Sequence, residues 1–152
     1  MIKKKGRIYF NWVLINQLAV GSFPKNEDDI NLLLNNNIKS ILTLCNPIEG
    51  KVPDKFKEKF NCESFILPDH KSKRFPSKFE IVSALNLLEA MIQKGPVYVH
   101  CFAGVERSPL ICIAYLMKNQ NIDLQDALEY LMQTHPITNP LKGQLNIISQ
   151  LN

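Results

Sequence analysis

The sequence predicts an α/β fold, with a mostly parallel central sheet of four to five strands flanked by helices. Short apolar segments of strand length alternate along the chain with longer segments of helical periodicity, the order expected when helices connect and cover parallel strands. Pro and Gly residues are scattered and no internal repeat appears, so no linker divides the chain. With 152 residues, of which 45% are apolar and 21% charged, we expect one domain over 1–152.

The first half of the chain is predicted to contain, in order, a strand over 18–21, a helix over 26–36, a strand over 40–44, a short helix over 53–60 and a strand over 63–67. The first helix begins at Asn26, where three acidic residues follow and favour the positive end of a helix dipole. The segment over 40–44 is Ser-Ile-Leu-Thr-Leu, an apolar run that is typical of a buried parallel strand.

The second half is predicted to contain a helix from Pro76-Ser77 to about Ile92, a strand over 97–99, a helix over 109–118 and helical segments over 124–133 and 141–151. Apolar residues recur with helical spacing up to Ile92, and Gly95-Pro96 ends that helix. In open parallel sheets, ligands bind beyond the carboxyl ends of the strands. The strand over 97–99 therefore delivers His100 and Cys101 to the place where chemistry is expected.

A five-residue loop, Phe102-Ala103-Gly104-Val105-Glu106, separates Cys101 from Arg107. A loop of this length can curl so that its backbone N–H groups converge on one anion, and the helix that follows adds its positive N-terminal dipole. Gly104 permits the tight curvature, and Pro109 fits the first turn of the helix. The spacing therefore predicts that residues 102–107 bind a phosphate group.

Cys101 and Arg107 are predicted to carry the chemistry of this loop. The field that binds phosphate also stabilises a thiolate, so Cys101 is expected to be nucleophilic near neutral pH. The planar guanidinium of Arg107 presents N–H groups that match two phosphate oxygens. The two residues together predict nucleophilic attack on a phosphate ester.

The HCxxGxxRS signature is matched at His100, Cys101, Gly104, Arg107 and Ser108, where the chain resembles the protein tyrosine phosphatase superfamily. The short chain is similar to the dual-specificity branch, and the resemblance extends from about residue 18 to residue 145. It implies a dual-specificity phosphatase fold, a cysteinyl-phosphate intermediate and no metal or other cofactor. Low-molecular-weight phosphatases and arsenate reductases carry a similar motif near the N-terminus, whereas here it follows most of the predicted sheet, so their topology does not fit. Rhodaneses also use a cysteine loop, but Gly104, Arg107 and Ser108 in phosphatase register argue against that family.

Asp69 is the predicted general acid, because the resemblance implies such a group on a loop about this far upstream of the cysteine. It would protonate the leaving oxygen and then, as a base, activate the water that attacks the cysteinyl phosphate. The alternative for Asp69 is a loop or capping aspartate, and the rival carboxyl groups are Asp54 and Glu106. Ser108 is expected to stabilise the departing thiolate, to cap the helix, or both.

Two residues near the motif allow two interpretations each. His100 is expected to be a hydrogen-bonding support rather than a base. Cys45 closes the strand over 40–44, at a place that resembles the second cysteine with which some family members form a reversible disulfide to the nucleophile. The alternative for Cys45 is an ordinary buried cysteine.

The predicted substrate is a phosphomonoester, either small or on a protein as phosphotyrosine and also phosphoserine or phosphothreonine. The alternatives are a phosphoinositide, a phosphosugar or an RNA 5′-phosphate, or a phosphate-binding module with little turnover. Lys71, Lys73, Arg74 and Lys78 form a basic cluster after Asp69 that favours a polyanionic substrate, and the alternative is a solvated loop. The carboxylate of Glu106 disfavours such a substrate.

Composition limits the partners and the compartment. A net charge of +4 does not predict nucleic-acid binding, and no apolar run is long enough to span a bilayer. Polar residues such as Asn11 and Asn16 interrupt the apolar stretch after the basic start, so we expect no export signal and a cytoplasmic location. The four cysteines lack zinc-site spacing, and a monomer is the default expectation.

Overall fold

A computed structural model describes residues 7–151, and at its centre is a five-stranded sheet with the spatial order β1-β2-β5-β3-β4. The strands are β1 (Phe10–Leu14), β2 (Leu18–Gly21), β3 (Ser40–Thr43), β4 (Asn61–Ser64) and β5 (Val97–His100). β1 pairs with β2 antiparallel, and the other neighbouring pairs are parallel. The predicted fold class is thereby confirmed. The basic start of the sequence, over 1–6, lies outside the described residues.

Helices cover both faces of this sheet. They are α1 (Glu27–Asn35), α2 (Lys78–Ile92), α3 (Arg107–Asn119), α4 (Leu124–Thr134) and α5 (Lys142–Ile148), with a 3₁₀ helix at Asp54–Glu58. Val97 and Val99 of β5 pack with α2 to α5, whereas Tyr98 packs on the opposite face with α1 and the 3₁₀ helix. None of the helices within residues 7–151 is long and apolar enough to cross a membrane. Because β5 lies between β2 and β3, its carboxyl end is at the middle of the sheet edge.

Side-chain caps determine where most of these helices begin. Asn26 accepts a hydrogen bond from the N–H of the third residue of α1 at 2.9 Å, and Ser77 does the same for α2 at 3.1 Å. Asp123 caps α4 at 2.8 Å. The residue before α3, Glu106, makes no such capping bond. The first N–H groups of α3 are therefore not used by a side-chain cap.

β1 is absent from the sequence prediction because Asn11 and Trp12 interrupt its apolar pattern. In the structure Phe10 and Val13 are buried, and the chain turns into β2 through Asn16, whose φ is 63°. Pairing with β2 along almost its whole length stabilises β1. This long-range pairing outweighs the weak local pattern.

β4 and α5 differ most from their predicted bounds, whereas the other predicted elements differ by no more than two residues at either end. β4 begins at Asn61 because this residue pairs with Ser40 of β3. The strand ends at Ser64, so the predicted end at Leu67 is wrong, although the N–H of Leu67 still donates to the carbonyl of Leu44 at 3.0 Å. α5 ends at Ile148 instead of residue 151.

Candidate active site

The loop that joins β5 to α3 curls at Gly104. The φ angle of Gly104 is 76°, in the left-handed region that glycine occupies at little steric cost. A Cβ atom there would lie 2.8 Å from the carbonyl carbon and oxygen of Gly21, at the end of β2. The curvature and the close approach to β2 both require glycine at this position.

Three backbone carbonyls of the loop are bonded by groups outside it. The pairs are Phe23 N–H to Phe102 O at 3.0 Å, Asn139 N–H to Val105 O at 2.8 Å and His135 Nε2–H to Gly104 O at 2.7 Å. In a planar trans peptide the C=O and N–H groups point in opposite directions. These contacts therefore turn the N–H group that follows each bonded carbonyl away from the surrounding protein, an arrangement suited to binding an anion.

His135 is a contributor to the loop that the sequence does not reveal. It is fully buried at the end of α4, and its Nδ1 lies 2.7 Å from the side-chain oxygen of Asn11 in β1. Burial lowers the pKa of His135, although its hydrogen bond to Gly104 opposes that shift. No local pattern marks this residue, because its two partners are 124 and 31 positions away in the chain.

Cys101 and Ser108 are neighbours at the buried base of the loop. Sγ of Cys101 lies 3.3 Å from Oγ of Ser108, and both side chains are buried. Oγ of Ser108 is also 3.5 Å from the carbonyl oxygen of Gly21. Ser108 does not cap α3, because the cap position belongs to Glu106. The hydroxyl is instead within reach of the sulfur.

His100 supports the loop through a hydrogen bond to the backbone of Cys101. Its Nδ1–H donates to the carbonyl of Cys101 at 2.8 Å, and its Nε2 lies 2.7 Å from Oγ1 of Thr43. Burial lowers the pKa of His100 to about 4, so the ring is neutral and Nε2 accepts from the threonine hydroxyl. Both ring nitrogens are engaged, which agrees with a supporting role.

Arg107 is buried at the start of α3, where Glu49 holds its guanidinium. Nη2 and Nη1 donate to the two carboxylate oxygens of Glu49 at 2.7 and 2.9 Å, and Nη1 also lies 3.4 Å from the carbonyl oxygen of Leu67. The hydrogen bond from Arg107 is the main cause that lowers the pKa of Glu49. Nε of Arg107 is buried without a hydrogen-bond partner within residues 7–151. Sequence reasoning misses Glu49, whose one signal is its place after β3.

Asp69, the predicted general acid, lies in the loop after β4, near enough to Arg107 for their charges to interact. Its Oδ1 accepts hydrogen bonds from the N–H of Lys71 at 3.0 Å and from Oγ of Ser72 at 2.9 Å. Burial alone would raise the pKa of Asp69, but these bonds and the charges of Arg107 and His70 outweigh it and lower the pKa. The carboxylate of Asp69 is thus hydrogen-bonded within its own loop. Its role as the general acid remains a prediction.

The rival carboxyl groups are engaged elsewhere. Asp54 is exposed on the 3₁₀ helix, 3.8 Å from Lys57. Oε2 of Glu106 lies 3.1 Å from Nδ1 of His70, and its Oε1 accepts from Nε2 of Gln144 at 3.2 Å. Neither carboxyl group displaces Asp69 as the candidate acid.

Cys45 follows β3 and is 2% exposed. Burial is the main cause that raises the pKa of Cys45 to about 11, and the charges of Glu49 and Cys101 act in the same direction. Cys45 and Cys101 follow the neighbouring parallel strands β3 and β5, in which Thr43 pairs with His100, so both cysteines lie at the same edge of the sheet. All four cysteines of the chain are free thiols.

Comparisons with known proteins show which family the chain belongs to. Residues 19–152 match the family described as dual specificity phosphatase, catalytic domain. Dual specificity protein phosphatase 1 of Arabidopsis thaliana is 32% identical over 122 residues, which cover 80% of this chain and 59% of that protein. Dual specificity protein phosphatase 5 of Rattus norvegicus is 40% identical over 68 residues, 44% of this chain and 18% of that protein.

The fold has close structural counterparts as well. The human tyrosine phosphatase-like serine/threonine/tyrosine-interacting protein matches with a TM-score of 0.81 and 21% identity, covering 93% of this chain and 94% of that one. The chain spans between 18% and 59% of the length of the two curated relatives named above. Because the match to the family model covers residues 19–152, nearly the whole length of the chain, the chain belongs to the dual specificity phosphatase catalytic-domain family.

Proposed function

We propose that this chain is a cysteine-dependent phosphatase that hydrolyses phosphate monoesters through a cysteinyl-phosphate intermediate. The observation that carries the proposal is the environment of Arg107. Glu49 holds both of its Nη atoms, whereas its buried Nε–H has no hydrogen-bond partner within residues 7–151. A buried donor of this kind is costly unless it binds an acceptor, and a phosphate oxygen above Cys101 is a suitable one.

In the first step, the thiolate of Cys101 attacks phosphorus, and an S–P bond forms as the bond to the leaving oxygen breaks. Arg107 and the loop N–H groups bind the non-bridging oxygens. Asp69 donates its proton to the leaving oxygen. The pKa of Asp69 is lowered in the free protein, and the negative charge of a bound phosphate would raise it toward the range that an acid needs.

In the second step, water attacks phosphorus and the S–P bond breaks. Asp69 accepts a proton from the water, and inorganic phosphate leaves. The hydroxyl of Ser108, 3.3 Å from Sγ, donates a hydrogen bond to the departing thiolate of Cys101. Each step uses only groups of this chain, so the proposal requires no metal or other cofactor.

Aromatic rings beside the loop favour phosphotyrosine among protein substrates, with phosphoserine and phosphothreonine as further substrates. A groove of about 590 Å³ is lined by both Phe23 and Phe102. Phe102 is 51% exposed, and its ring centroid lies 6.1 Å from that of Phe23. The exposed ring of Phe102, beside the half-buried ring of Phe23, suits a phenyl leaving group. A polyanionic substrate has less support, because Arg74 donates to Glu80 at 2.7 Å.

We also propose a cytoplasmic monomer that does not bind nucleic acid. Four free thiols suit a reducing compartment, and the net charge is only +4. The residues of the proposed chemistry all come from one chain, so that the site needs no second copy.

The test is hydrolysis of phenyl phosphate and of phosphotyrosine peptides without added metal. Cys101→Ser and Arg107→Ala should abolish turnover, and Asp69→Asn should reduce it most for poor leaving groups. Cys62→Ser, at a half-buried thiol outside the loop, is the control and should remain active. Wild-type protein that binds vanadate but turns over no phosphomonoester would instead indicate a phosphate-binding module. Turnover of phosphoinositides, phosphosugars or RNA 5′-phosphates but not peptides would indicate a non-protein substrate.

A further inference from the structure

Glu106 connects the phosphate loop to two other parts of the molecule. Its carboxylate lies 3.1 Å from Nδ1 of His70, in the loop of the candidate acid, and accepts from Nε2 of Gln144 in α5 at 3.2 Å. The side chain of Glu106 is 14% exposed, whereas that of His70 is 55% exposed. The carboxylate of Glu106 is therefore held by α5 through Gln144, and it contacts the acid loop through His70.

The acid loop over 69–73 has few other attachments. Within the described part of the chain, the remaining hydrogen bonds of this segment join Asp69, Lys71 and Ser72 to one another. They shape the loop but do not fix its position relative to Cys101. At the base of the loop, the N–H of Leu67 donates to the carbonyl of Leu44 at 3.0 Å, and the carbonyl of Leu67 lies 3.4 Å from Nη1 of Arg107. These contacts hold the base and not the segment over 69–73.

We propose that His70 and Glu106 form a positioning pair that holds the acid loop over the phosphate loop, with Gln144 orienting the carboxylate. This inference rests on the proposed function, because it assigns the pair to the proton donated by Asp69. Nδ1–H of His70 can donate to Glu106 whether the ring is neutral or charged. The same contacts turn the carboxylate of Glu106 toward His70 and Gln144, which reduces its repulsion of a bound phosphate.

Asp69 acts in both steps, but kcat/KM reports only the steps up to formation of the cysteinyl phosphate, so the effect of losing the pair on kcat/KM should depend on the leaving group. An alkoxide or phenoxide of high basicity needs the proton from Asp69, whereas a dinitrophenolate leaves without it. His70→Ala and Glu106→Ala should each lower kcat/KM for phenyl phosphate, relative to that for dinitrophenyl phosphate, about fivefold. His70→Ala should leave kcat/KM for dinitrophenyl phosphate nearly unchanged. Glu106→Ala also removes a negative charge from the phosphate loop, so it is judged by the ratio of its kcat/KM values for the two substrates, which should fall as it does in His70→Ala.

The experiment measures both substrates for wild type, His70→Ala, Glu106→Ala and the double variant, with Lys73→Ala as an exposed control on the same loop. The double variant should be no slower than either single variant, and His70→Gln, which keeps an N–H donor, should recover part of the rate. Equal losses with both substrates, no loss with either, or losses that multiply in the double variant would overturn the pair.

Asp69→Asn in the same assay separates the two proposals. Leaving-group dependence for Asp69→Asn but not for His70→Ala rejects only the positioning pair. If Asp69→Asn itself shows no such dependence, the acid assignment is wrong and the pair falls with it. Because His70 is exposed, its alanine variant should fold, and thermal melting of each variant checks this.

Discussion

Glu49 and Arg107 form a bidentate pair, with carboxylate oxygens 2.7 and 2.9 Å from the two Nη atoms. The pair joins the loop after β3 to the start of α3, 58 positions apart in the chain. Because two parallel N–H···O bonds define the plane of a guanidinium, Glu49 determines the direction in which Nε–H of Arg107 points.

Glu49→Gln should therefore weaken phosphate binding as well as turnover. Glutamine keeps the size of the side chain but offers one acceptor oxygen, so the guanidinium loses its fixed plane. We expect kcat/KM for phenyl phosphate to fall about tenfold, with a similar rise in the inhibition constant of inorganic phosphate. Glu58→Gln, at the end of the 3₁₀ helix, is the matched control. Unchanged phosphate inhibition in Glu49→Gln would show that Arg107 needs no help from this carboxylate.

The two buried histidines make stability depend on pH. Burial lowers the pKa of His100 from 6.5 to about 4, and lowers that of His135 as well. The unfolded chain then binds more protons than the folded one below the ordinary histidine pKa, so stability is complete above pH 6.5 and is lost as pH falls toward 4. For His100 this amounts to about 3 kcal/mol at the acid end.

Urea unfolding of the wild type between neutral pH and pH values near 5 tests this dependence. His100→Asn lowers stability at every pH, but it should reduce the slope of unfolding free energy against pH by about 1.4 kcal/mol per pH unit. A variant with the wild-type slope would mean that His100 titrates normally in the folded protein.

Cys45 is predicted to protect the nucleophile from irreversible oxidation. Mild peroxide converts the thiolate of Cys101 to a sulfenic acid, and the thiol of Cys45 can then displace water from it to form a disulfide. Peptide mapping without reductant should find a Cys45–Cys101 linkage, and dithiothreitol should restore activity. In Cys45→Ser the same treatment should cause irreversible loss, whereas Cys62→Ser should behave as wild type. Oxidised Cys101 without any linked peptide would identify Cys45 as an ordinary buried cysteine.

The residues of the site that could be predicted are those that lie together in one short segment of the sequence. Cys101, Gly104 and Arg107 lie within seven positions of each other, and their spacing alone predicts a curled loop before a helix. Glu49 and His135 contact the same loop through partners 58 and 31 positions away. No local pattern marks His135, and the one signal for Glu49 is its place after β3. β1 is absent from the sequence prediction for a similar reason, because its pairing with β2 forms only in the folded chain.

His135 gives a test of whether these distant contacts matter. Its Nε2–H donates to the carbonyl of Gly104, at the tightest point of the loop. His135→Leu fills a similar volume but leaves that buried carbonyl without a donor, which should lower the unfolding free energy by about 1 to 3 kcal/mol. With the carbonyl released, the loop N–H groups lose part of their fixed direction, so the inhibition constant of vanadate should rise as well.

His135→Gln separates the loss of the donor from the loss of the ring. Its side-chain amide can reach the same carbonyl, so it should restore vanadate affinity more fully than stability, because it packs less well than the imidazole. Melting temperatures and vanadate inhibition of wild type, His135→Gln and His135→Leu give the comparison. If both variants lose stability but neither loses vanadate affinity, His135 serves the core alone, and the loop holds its shape through Phe23 and Asn139.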